Sequence, residues 1–274
     1  MSGNRATQVL AITSGKGGVG KTNVAVNLAV EFSRAGKQVM LFDADLGLAN
    51  VDVALGLKPK FDIQHVLSGE RSLDEVILEG PAGIRVVPAS SGVAGMASLS
   101  QTEQAGLVRA FGDLETPVDI LLVDTGAGID SAVLTFAAAC QEVIVVVCDE
   151  PTSLTDGYAL IKVLNQQCSV QRFQVLANMV ENELEGRRLF EKLDKVVERF
   201  LDARLGFLGA VPRDDYLRKA VRKQTPVALE FPSAPSSEAL AAIAKRVDKL
   251  PRAADAGGLS FFVERMIDYR SGSV

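Results

Sequence analysis

The chain has 274 residues, of which 47% are hydrophobic, 23% are charged and 5% are aromatic, and it contains 24 Gly and no Trp. This composition is that of a globular protein and favours a buried parallel sheet of small aliphatic residues covered by helices. The formal net charge of −5 excludes a protein that coats nucleic acid over its whole surface, although it allows a local basic patch.

The few cysteines and the single histidine indicate neither a metal site nor a disulfide framework. The three cysteines have no CxxC spacing, so we expect a reduced, cytoplasmic compartment. Residues 1–8 are polar and do not form a signal peptide, and no apolar run approaches the roughly 18 residues of a membrane-spanning helix.

Strand-like runs alternate with segments of helical periodicity along the chain. Most of these runs are continuously apolar, as is typical of strands covered on both faces. The alternation predicts right-handed crossovers and an α/β fold with one doubly wound, mostly parallel sheet of about seven strands. The predicted strands are residues 9–13, 38–42, 84–88, 120–124, 142–148, 173–178 and 207–211.

The predicted elements belong to one domain, residues 1–250. A linker at 251–258, ending in Gly257-Gly258 as a hinge, separates this domain from a tail at 259–274. Segment 89–99 is rich in Ser, Gly and Ala and predicts a loop.

A phosphate-binding loop follows the first predicted strand. Residues 15–22 fit the pattern Gly-x4-Gly-Lys-Thr and stand between a predicted strand and a predicted helix. Glycines let backbone N–H groups curl around phosphate oxygens, and the following helix points its positive end at the same anion. We expect Lys21 to reach the β and γ phosphates and Thr22 to offer its hydroxyl to Mg²⁺. The expected phosphate-binding residues are Gly15, Lys16, Gly17, Gly18, Val19, Gly20, Lys21, Thr22 and Asn23.

A second lysine, Lys16, lies inside this loop and has no obvious partner in the local sequence. The sequence Lys-Gly-Gly-Val-Gly-Lys-Thr at 16–22 resembles the deviant Walker A motif of the septum-site and chromosome-partitioning ATPases, the MinD/ParA family of P-loop NTPases. The resemblance implies that Lys16 crosses to the phosphates of a second subunit, so that ATP is sandwiched in a homodimer. The alternative is a plain solvated lysine.

Two aspartates follow the second predicted strand, where this family has its first switch segment. By resemblance, Asp45 positions the attacking water and Asp43 lies near Mg²⁺. A carboxylate suits this place because phosphoryl transfer consists mainly of positioning and control of charge. The alternative for Asp45 is the N-cap of a helix.

A third aspartate, Asp124, ends an apolar strand and is followed by Thr-Gly-Ala-Gly at 125–128. This stretch looks like the Walker B strand and second switch segment, which implies that Asp124 holds Mg²⁺ through water. Segment 125–128 lacks the prolines of many relatives, and Asn23 stands where many have a second Thr. Neither difference touches Lys16, Lys21, Thr22 or Asp45, and we expect slow, regulatory hydrolysis.

The base-binding residues are predicted at the ends of later strands. No Asn/Thr-Lys-x-Asp motif for guanine follows a strand, which favours ATP over GTP. By resemblance, Asn178 contacts adenine and Glu150 contacts the ribose. By the same resemblance, the base is also lined by Pro212, Arg213 and Asp214. The alternative for Asn178 is a turn residue at a strand end.

In the tail, apolar residues at i, i+3, i+4 and i+7 predict a short amphipathic helix. Its apolar face consists of Leu259, Phe261, Phe262, Val263, Met266 and Ile267. By resemblance to septum-site relatives it would bind a membrane interface, giving peripheral association of a cytoplasmic protein in its ATP-bound state. Docking on a protein partner or on its own body is the alternative, and the two states can alternate.

Residues 213–223 contain a cluster of basic side chains. Partition ATPases use basic surfaces for non-specific DNA, but cations beside a nucleotide site suit a partner-binding face equally well, and direct DNA binding is not the expected role. The cluster consists of Arg213, Arg218, Lys219, Arg222 and Lys223, offset by Asp214 and Asp215.

Across nearly the whole chain, the sequence is most similar to the flagellar number regulators of this class, the FlhG/FleN type. Residues 43–57, 148–162 and 259–266 carry the resemblance. It implies that the protein restrains the master flagellar transcription activator, an enhancer-binding ATPase, and cooperates with the signal-recognition-like flagellar GTPase. Many relatives stimulate that GTPase through an N-terminal Asp-Gln-Ala and Leu-Arg motif, which residues 1–8 do not contain.

We therefore expect an ATPase switch that is monomeric when empty or ADP-bound, dimeric with ATP, and regulates flagellar synthesis through partners. The alternative is a septum-site or chromosome-partitioning type of positioning ATPase that acts on a membrane or on non-specific DNA.

Overall fold

The computed structural model describes residues 7–45, 49–89, 101–114, 116–251 and 259–271. Most of the predicted loop at 89–99 and nearly all of the predicted linker at 251–258, with its Gly-Gly hinge, lie outside these ranges.

The strands of the described residues form one sheet. They are β1 (Gln8–Ser14), β2 (Val39–Ala44), β3 (Leu78–Glu79), β4 (Arg85–Val87), β5 (Ile120–Ala127), β6 (Glu142–Val147), β7 (Arg172–Val180) and β8 (Arg204–Pro212). Their order is β3-β4-β2-β5-β1-β6-β7-β8, and every neighbouring pair is parallel except β3 and β4. All seven predicted strands are confirmed. The two-residue β3 was missed because it is too short to form a pattern.

Helices cover both faces of the sheet. They are α1 (Lys21–Arg34), α2 (Val51–Leu55), α3 (Ile63–Leu67), α4 (Leu73–Val76), α5 (Gln101–Gly112), α6 (Ser131–Ala139), α7 (Pro151–Cys168), α8 (Glu183–Phe200), α9 (Asp215–Arg222), α10 (Val227–Glu230), α11 (Pro235–Val247) and α12 (Leu259–Ser271). One core packs α1, α10 and α11 on one face, and a second core packs α5, α6, α7, α8 and α12 on the other. Successive residues of β1 point to opposite cores, as strand geometry requires.

The predicted tail helix is confirmed as α12, and it packs against α5 and α6. Its residues Leu259, Phe262, Val263 and Met266 are buried in the core of that face. The guanidinium of Arg265 donates a hydrogen bond, 2.9 Å long, to the carbonyl of Ala138 near the end of α6. Of the two alternatives for this helix, the structure therefore has it docked on its own body.

None of the helices in the described ranges combines the length and the apolar character needed to cross a bilayer.

The outer edge of the sheet at β8 is interrupted by a bulge. The pairing of β8 with β7 shifts between Phe207 and Gly209, which leaves Leu208 as an extra residue. The carbonyl of Leu208 accepts a hydrogen bond, 2.7 Å long, from Arg246 of α11. A side chain of the neighbouring helix therefore occupies a backbone acceptor at this edge.

Helix α8 packs very closely on the sheet at Gly186. A Cβ atom there would lie 2.5 Å from the Cβ of Ala210 and 3.2 Å from that of Ala177. We predict that Gly186→Ala destabilises the protein by about 1–3 kcal/mol, because the helix has to move away from the sheet. Urea unfolding followed by circular dichroism measures the effect.

Gly106 in α5 supplies the matched control, because an added Cβ atom there meets open space. Gly106→Ala should stabilise the protein by about 0.5–1 kcal/mol, since alanine restricts the unfolded chain and favours helix. Equal effects of the two substitutions would contradict the prediction.

Candidate nucleotide site

The phosphate loop lies at the carboxyl end of β1 and leads into α1 at Lys21. Gly18 and Gly20 have φ values of 81° and 86°, in the left-handed region that glycine adopts readily. Gly20 is the N-cap of α1 and offers no side chain to its first N–H groups. Those N–H groups are therefore oriented to receive the oxygens of an anion.

Gly15 brings the loop into direct contact with α7. A Cβ atom on Gly15 would lie 2.1 Å from the carbonyl carbon and oxygen of Asp156 and 2.6 Å from the nitrogen of Gly157. Only glycine fits this approach of two backbones. The start of the loop and the N-terminal half of α7 are consequently held together without an intervening side chain.

Lys16 bonds to the start of α7. Its Nζ lies 2.5 Å from Oε2 of Glu150 and 3.0 Å from Oγ1 of Thr152. The hydrogen bond with Glu150 raises the pKa of Lys16, and the same bond lowers the pKa of Glu150. As expected, Lys16 has no partner in the local sequence, because its partners are 134 and 136 residues away. Lys16 is thus bonded to side chains of the protein and not to solvent alone.

This ion pair is exposed at the surface, where such pairs stabilise a protein little and compete with water and other ions. Lys16 can therefore exchange Glu150 for another anion. Glu150, predicted to contact a ribose, is here engaged with Lys16.

Asp124, at the sheet end beside the loop, is fully buried. Burial raises the pKa of Asp124 to about 7, although the hydrogen bond with Thr22 and the charge of Lys21 act to lower it. Its Oδ1 atom has no hydrogen-bond partner within the part of the chain that the structure describes. A buried carboxylate oxygen without a partner is unfavourable unless a proton or a cation joins it. Together with the Thr22 hydroxyl and a phosphate-binding loop, this oxygen fits Mg²⁺.

Asp43 stands directly opposite Asp124 in the pairing of β2 with β5. Its Oδ1 accepts a hydrogen bond, 3.1 Å long, from the N–H of Asp45. Its Oδ2 accepts hydrogen bonds of 3.0 and 3.1 Å from the N–H groups of Asn50 and Val51. Burial raises its pKa to about 6, while these three bonds lower it. Asp43 therefore holds the start of α2 and the backbone of Asp45 together.

Asp45 lies on the wall of the cavity beside the phosphate loop. The cavity is about 760 Å³ and is also lined by Lys21, Thr22, Asn50 and Gly126. The N-cap of α2 is Asn50, so the alternative that Asp45 caps this helix is excluded. Residues 46–48, which follow Asp45, lie outside the described residues.

A second cavity of about 670 Å³ adjoins the first, and the two share Gly20, Asn23 and Met179 as lining residues. The predicted base-binding residues all line this second cavity: Asn178, Pro212, Arg213 and Asp214. The two cavities form one groove from the phosphate loop to the ends of β7 and β8. Its size and lining suit a nucleotide.

The polar groups of the second cavity mainly support its walls. The amide nitrogen of Asn178 donates to the carbonyl of Val19 at 2.7 Å, which ties β7 to the phosphate loop. Asn178 lies inside β7, so the alternative of a turn residue is excluded. The Asp214 carboxylate accepts the N–H of Tyr216 at 2.8 Å and the hydroxyl of Ser236 at 2.7 Å.

Sequence reasoning missed Met179, which lines both cavities with a left-handed φ of 57°. The Nε of Arg213 donates to its carbonyl at 2.8 Å. A positive φ at methionine leaves no signal in the sequence. Tyr216, Val221 and Gln224, also missed, line the groove because α9 and the turn after it fold over it.

Two of the five cations of the basic cluster pair with carboxylates of the same chain. Arg218 pairs with Asp215, and the Nζ of Lys223 lies 2.5 Å from Glu230. Lys219 stacks over the ring of Tyr216, 5.1 Å from its centre. The two exposed ion pairs lower the net positive charge of the surface.

Several known proteins are similar to this chain. A family model described as the CobQ/CobB/MinD/ParA nucleotide-binding domain matches residues 10–227. The antiactivator FleN of Pseudomonas aeruginosa is 52% identical over 98% of this chain and 96% of its own length. The flagellum site-determining protein YlxH of Helicobacter pylori is 36% identical over 96% of this chain and 90% of its own length.

The fold is similar to the structure of the septum site-determining protein MinD of Pyrococcus horikoshii in complex with Mg-ADP. The TM-score is 0.72 at 25% identity, and the match covers 89% of this chain and 97% of that one.

Asp124 predicts a pH dependence of the stability of the nucleotide-free protein. Because its pKa is raised from 3.8 to about 7 in the fold, its contribution to stability is complete below about pH 4 and is lost as the pH rises through about 7. Asp124→Asn keeps the shape of the side chain without titrating. The unfolding free energy of the unaltered protein should therefore fall relative to Asp124→Asn, by up to about 1.4 kcal/mol per pH unit in this range.

Urea unfolding at a series of pH values measures this difference. Asp113→Asn, at an exposed position of the described chain, controls for the loss of one carboxylate. Parallel pH profiles of the unaltered protein and Asp124→Asn would contradict the prediction.

Proposed function

Because the chain belongs to the CobQ/CobB/MinD/ParA family of nucleotide-binding proteins, we propose that it is an ATP-dependent dimerising switch with slow ATPase activity that regulates flagellar number. The position of Lys16 carries the dimer proposal: a lysine of the phosphate loop is held by an exposed, exchangeable ion pair beside the nucleotide groove. The similarity to antiactivator FleN and to flagellum site-determining protein YlxH supports the flagellar role.

The geometry of the phosphate loop and its neighbours supports the proposed roles at the phosphates. The backbone of the loop and Lys21 hold the β and γ phosphates, and Thr22 and Asp124 would hold Mg²⁺. When bound, Mg²⁺ neutralises phosphate charge as it develops. Asp45 orients the attacking water, while Asp43 fixes the backbone on which Asp45 lies. Lys16 leaves Glu150 to reach the phosphates of the partner subunit.

At the base, we propose that adenine occupies the second cavity. Pro212 and Arg213 form walls of the cavity. The side-chain oxygen of Asn178 accepts a hydrogen bond from the adenine amino group, since the amide nitrogen of Asn178 is already bonded to Val19. For the Glu150 carboxylate, once released from Lys16, we propose a contact with a ribose hydroxyl.

Exposed apolar side chains around the groove support a face-to-face dimer. Val53, Met179 and Val221 line the phosphate cavity and are 53%, 37% and 44% exposed. Exposed apolar groups beside a polar site are typical of a surface that another protein covers. A second copy of the chain would bury them and enclose the nucleotide.

We further propose that the switch restrains the master flagellar transcription activator and cooperates with the flagellar signal-recognition-like GTPase. The paired charges of Arg218 and Lys223 favour a protein partner over DNA at the basic cluster.

The tail supports membrane association that depends on the nucleotide. α12 covers its apolar face on α5 and α6, and α6 begins three residues after the second switch segment, 125–128. A change of this segment on ATP binding would reposition α6 and loosen α12. The released face would then enter a membrane interface.

The dimer prediction uses Asp45→Ala, which should bind ATP without hydrolysing it. Light scattering with ATP and Mg²⁺ should give the mass of a dimer, and with ADP the mass of a monomer. Adding Lys16→Ala should return the ATP form to a monomer, because the charge supplied across the interface is lost. A monomer of Asp45→Ala in ATP would contradict the proposed dimer.

The same proteins test the flagellar role as baits in an extract of a polarly flagellated bacterium. Asp45→Ala with ATP and the monomeric double variant should differ in their recovery of the transcription activator. Equal recovery by both, or recovery by neither, would contradict regulation of this activator by the dimer.

Vesicle co-sedimentation tests the tail. Asp45→Ala should sediment with lipid vesicles in ATP but not in ADP, and removal of residues 259–274 should abolish sedimentation. The charged residues Glu264, Arg265, Asp268 and Arg270 sum to zero, so zwitterionic and anionic vesicles should behave alike. Equal sedimentation of the full and shortened chains in ATP would contradict membrane binding through α12.

A further inference from the structure

We propose that Gln224 is a positioning residue for ATP hydrolysis, because it fixes α2 and, through α2, the segment that carries Asp45. The inference rests on the ATPase activity proposed above. It assigns a role to a residue that lies far from the phosphate loop in sequence and belongs to no nucleotide-binding motif.

Gln224 is bonded directly to α2. Its Nε2 donates to the carbonyl of Val53 at 2.9 Å across 171 residues of sequence. Its backbone has a φ of 53°, a left-handed conformation that is uncommon for glutamine and persists where the surroundings determine it. The side chain is therefore aimed at α2 by a specific turn after α9.

The end of α2 is shaped to receive Gln224. Gly56, the C-cap of α2, has a φ of 64°. A Cβ atom on Gly56 would lie 3.5 Å from Cβ and 3.9 Å from Oε1 of Gln224. These are ordinary van der Waals distances, so Gln224 lies directly against this end of the helix.

The opposite end of α2 is held by Asp43, whose Oδ2 accepts the N–H groups of Asn50 and Val51. Its Oδ1 accepts the N–H of Asp45. A continuous path thus runs from Gln224 through α2 and Asp43 to the backbone of Asp45. Gln224 and Asp45 line the same cavity.

External support matters here because α2 has only five residues. A helix of this length is not stable by itself, so its position is set by its contacts. A displacement of α2 would pull on Asp43 and shift Asp45, and small errors in the placement of a reacting water slow a reaction strongly.

The test removes the Gln224 donor from the full-length protein in two ways. Gln224→Met keeps the length of the side chain without charge or donor, and Gln224→Gly relaxes the left-handed backbone as well. Gln166→Met, at an exposed position near the end of α7, is the matched control. We expect both Gln224 variants to lower kcat for ATP about tenfold with KM unchanged, while Gln166→Met hydrolyses ATP like the unaltered protein.

Hydrogen exchange of the peptide spanning residues 49–56 gives a readout that does not need activity. It should be faster in both Gln224 variants than in the unaltered protein and in Gln166→Met, with thermal unfolding in ADP unchanged. A raised KM at constant kcat would show that Gln224 acts in nucleotide binding and overturn the inference, as would unchanged kcat and exchange. An unaltered protein that fails to hydrolyse ATP would instead refute the proposed ATPase, and the exchange experiment would still decide whether Gln224 holds α2.

Discussion

Two buried carboxylates at the carboxyl edge of the sheet set the conditions for the rest of the site. Asp43 and Asp124 face each other in register on neighbouring strands, each with about 1% of its surface exposed. Like charges in such surroundings are unfavourable unless hydrogen bonds or cations compensate them. The backbone N–H groups of Asp45, Asn50 and Val51 compensate Asp43, and Thr22 with Lys21 compensates Asp124. The phosphate loop and the start of α2 are thereby drawn to one place.

The two carboxylates are not equivalent, although both are expected close to Mg²⁺. Both oxygens of Asp43 are bonded to backbone N–H groups, whereas Oδ1 of Asp124 has no partner in the described residues. Asp124 is therefore suited to a cation beside Thr22, and Asp43 to holding the segment next to it. One strand end is suited to a cation, and its neighbour maintains the geometry around it.

Local patterns were sufficient for most of the fold. Buried strands such as 142–148 form continuous apolar runs, and the phosphate loop has fixed spacing, so both are visible within a few residues. The missing information concerns contacts between distant segments. The bonds of Lys16 to Glu150 and of Gln224 to Val53 join residues more than 130 positions apart, and the left-handed backbone of Met179 has no signature in its side chain. The site was thus predictable at the phosphate loop and, by resemblance, at the ends of β7 and β8, but not where α9 and the turn after it fold over the groove.

The bulge at the outer edge of β8 has a consequence for self-association. A regular edge strand presents a row of free backbone groups that another chain can extend into a continuous sheet. Here Leu208 breaks the pairing register and Arg246 already occupies its carbonyl. Edge-to-edge growth into larger aggregates is therefore discouraged on this side, and the reversible association proposed for the groove face would not compete with irreversible association here.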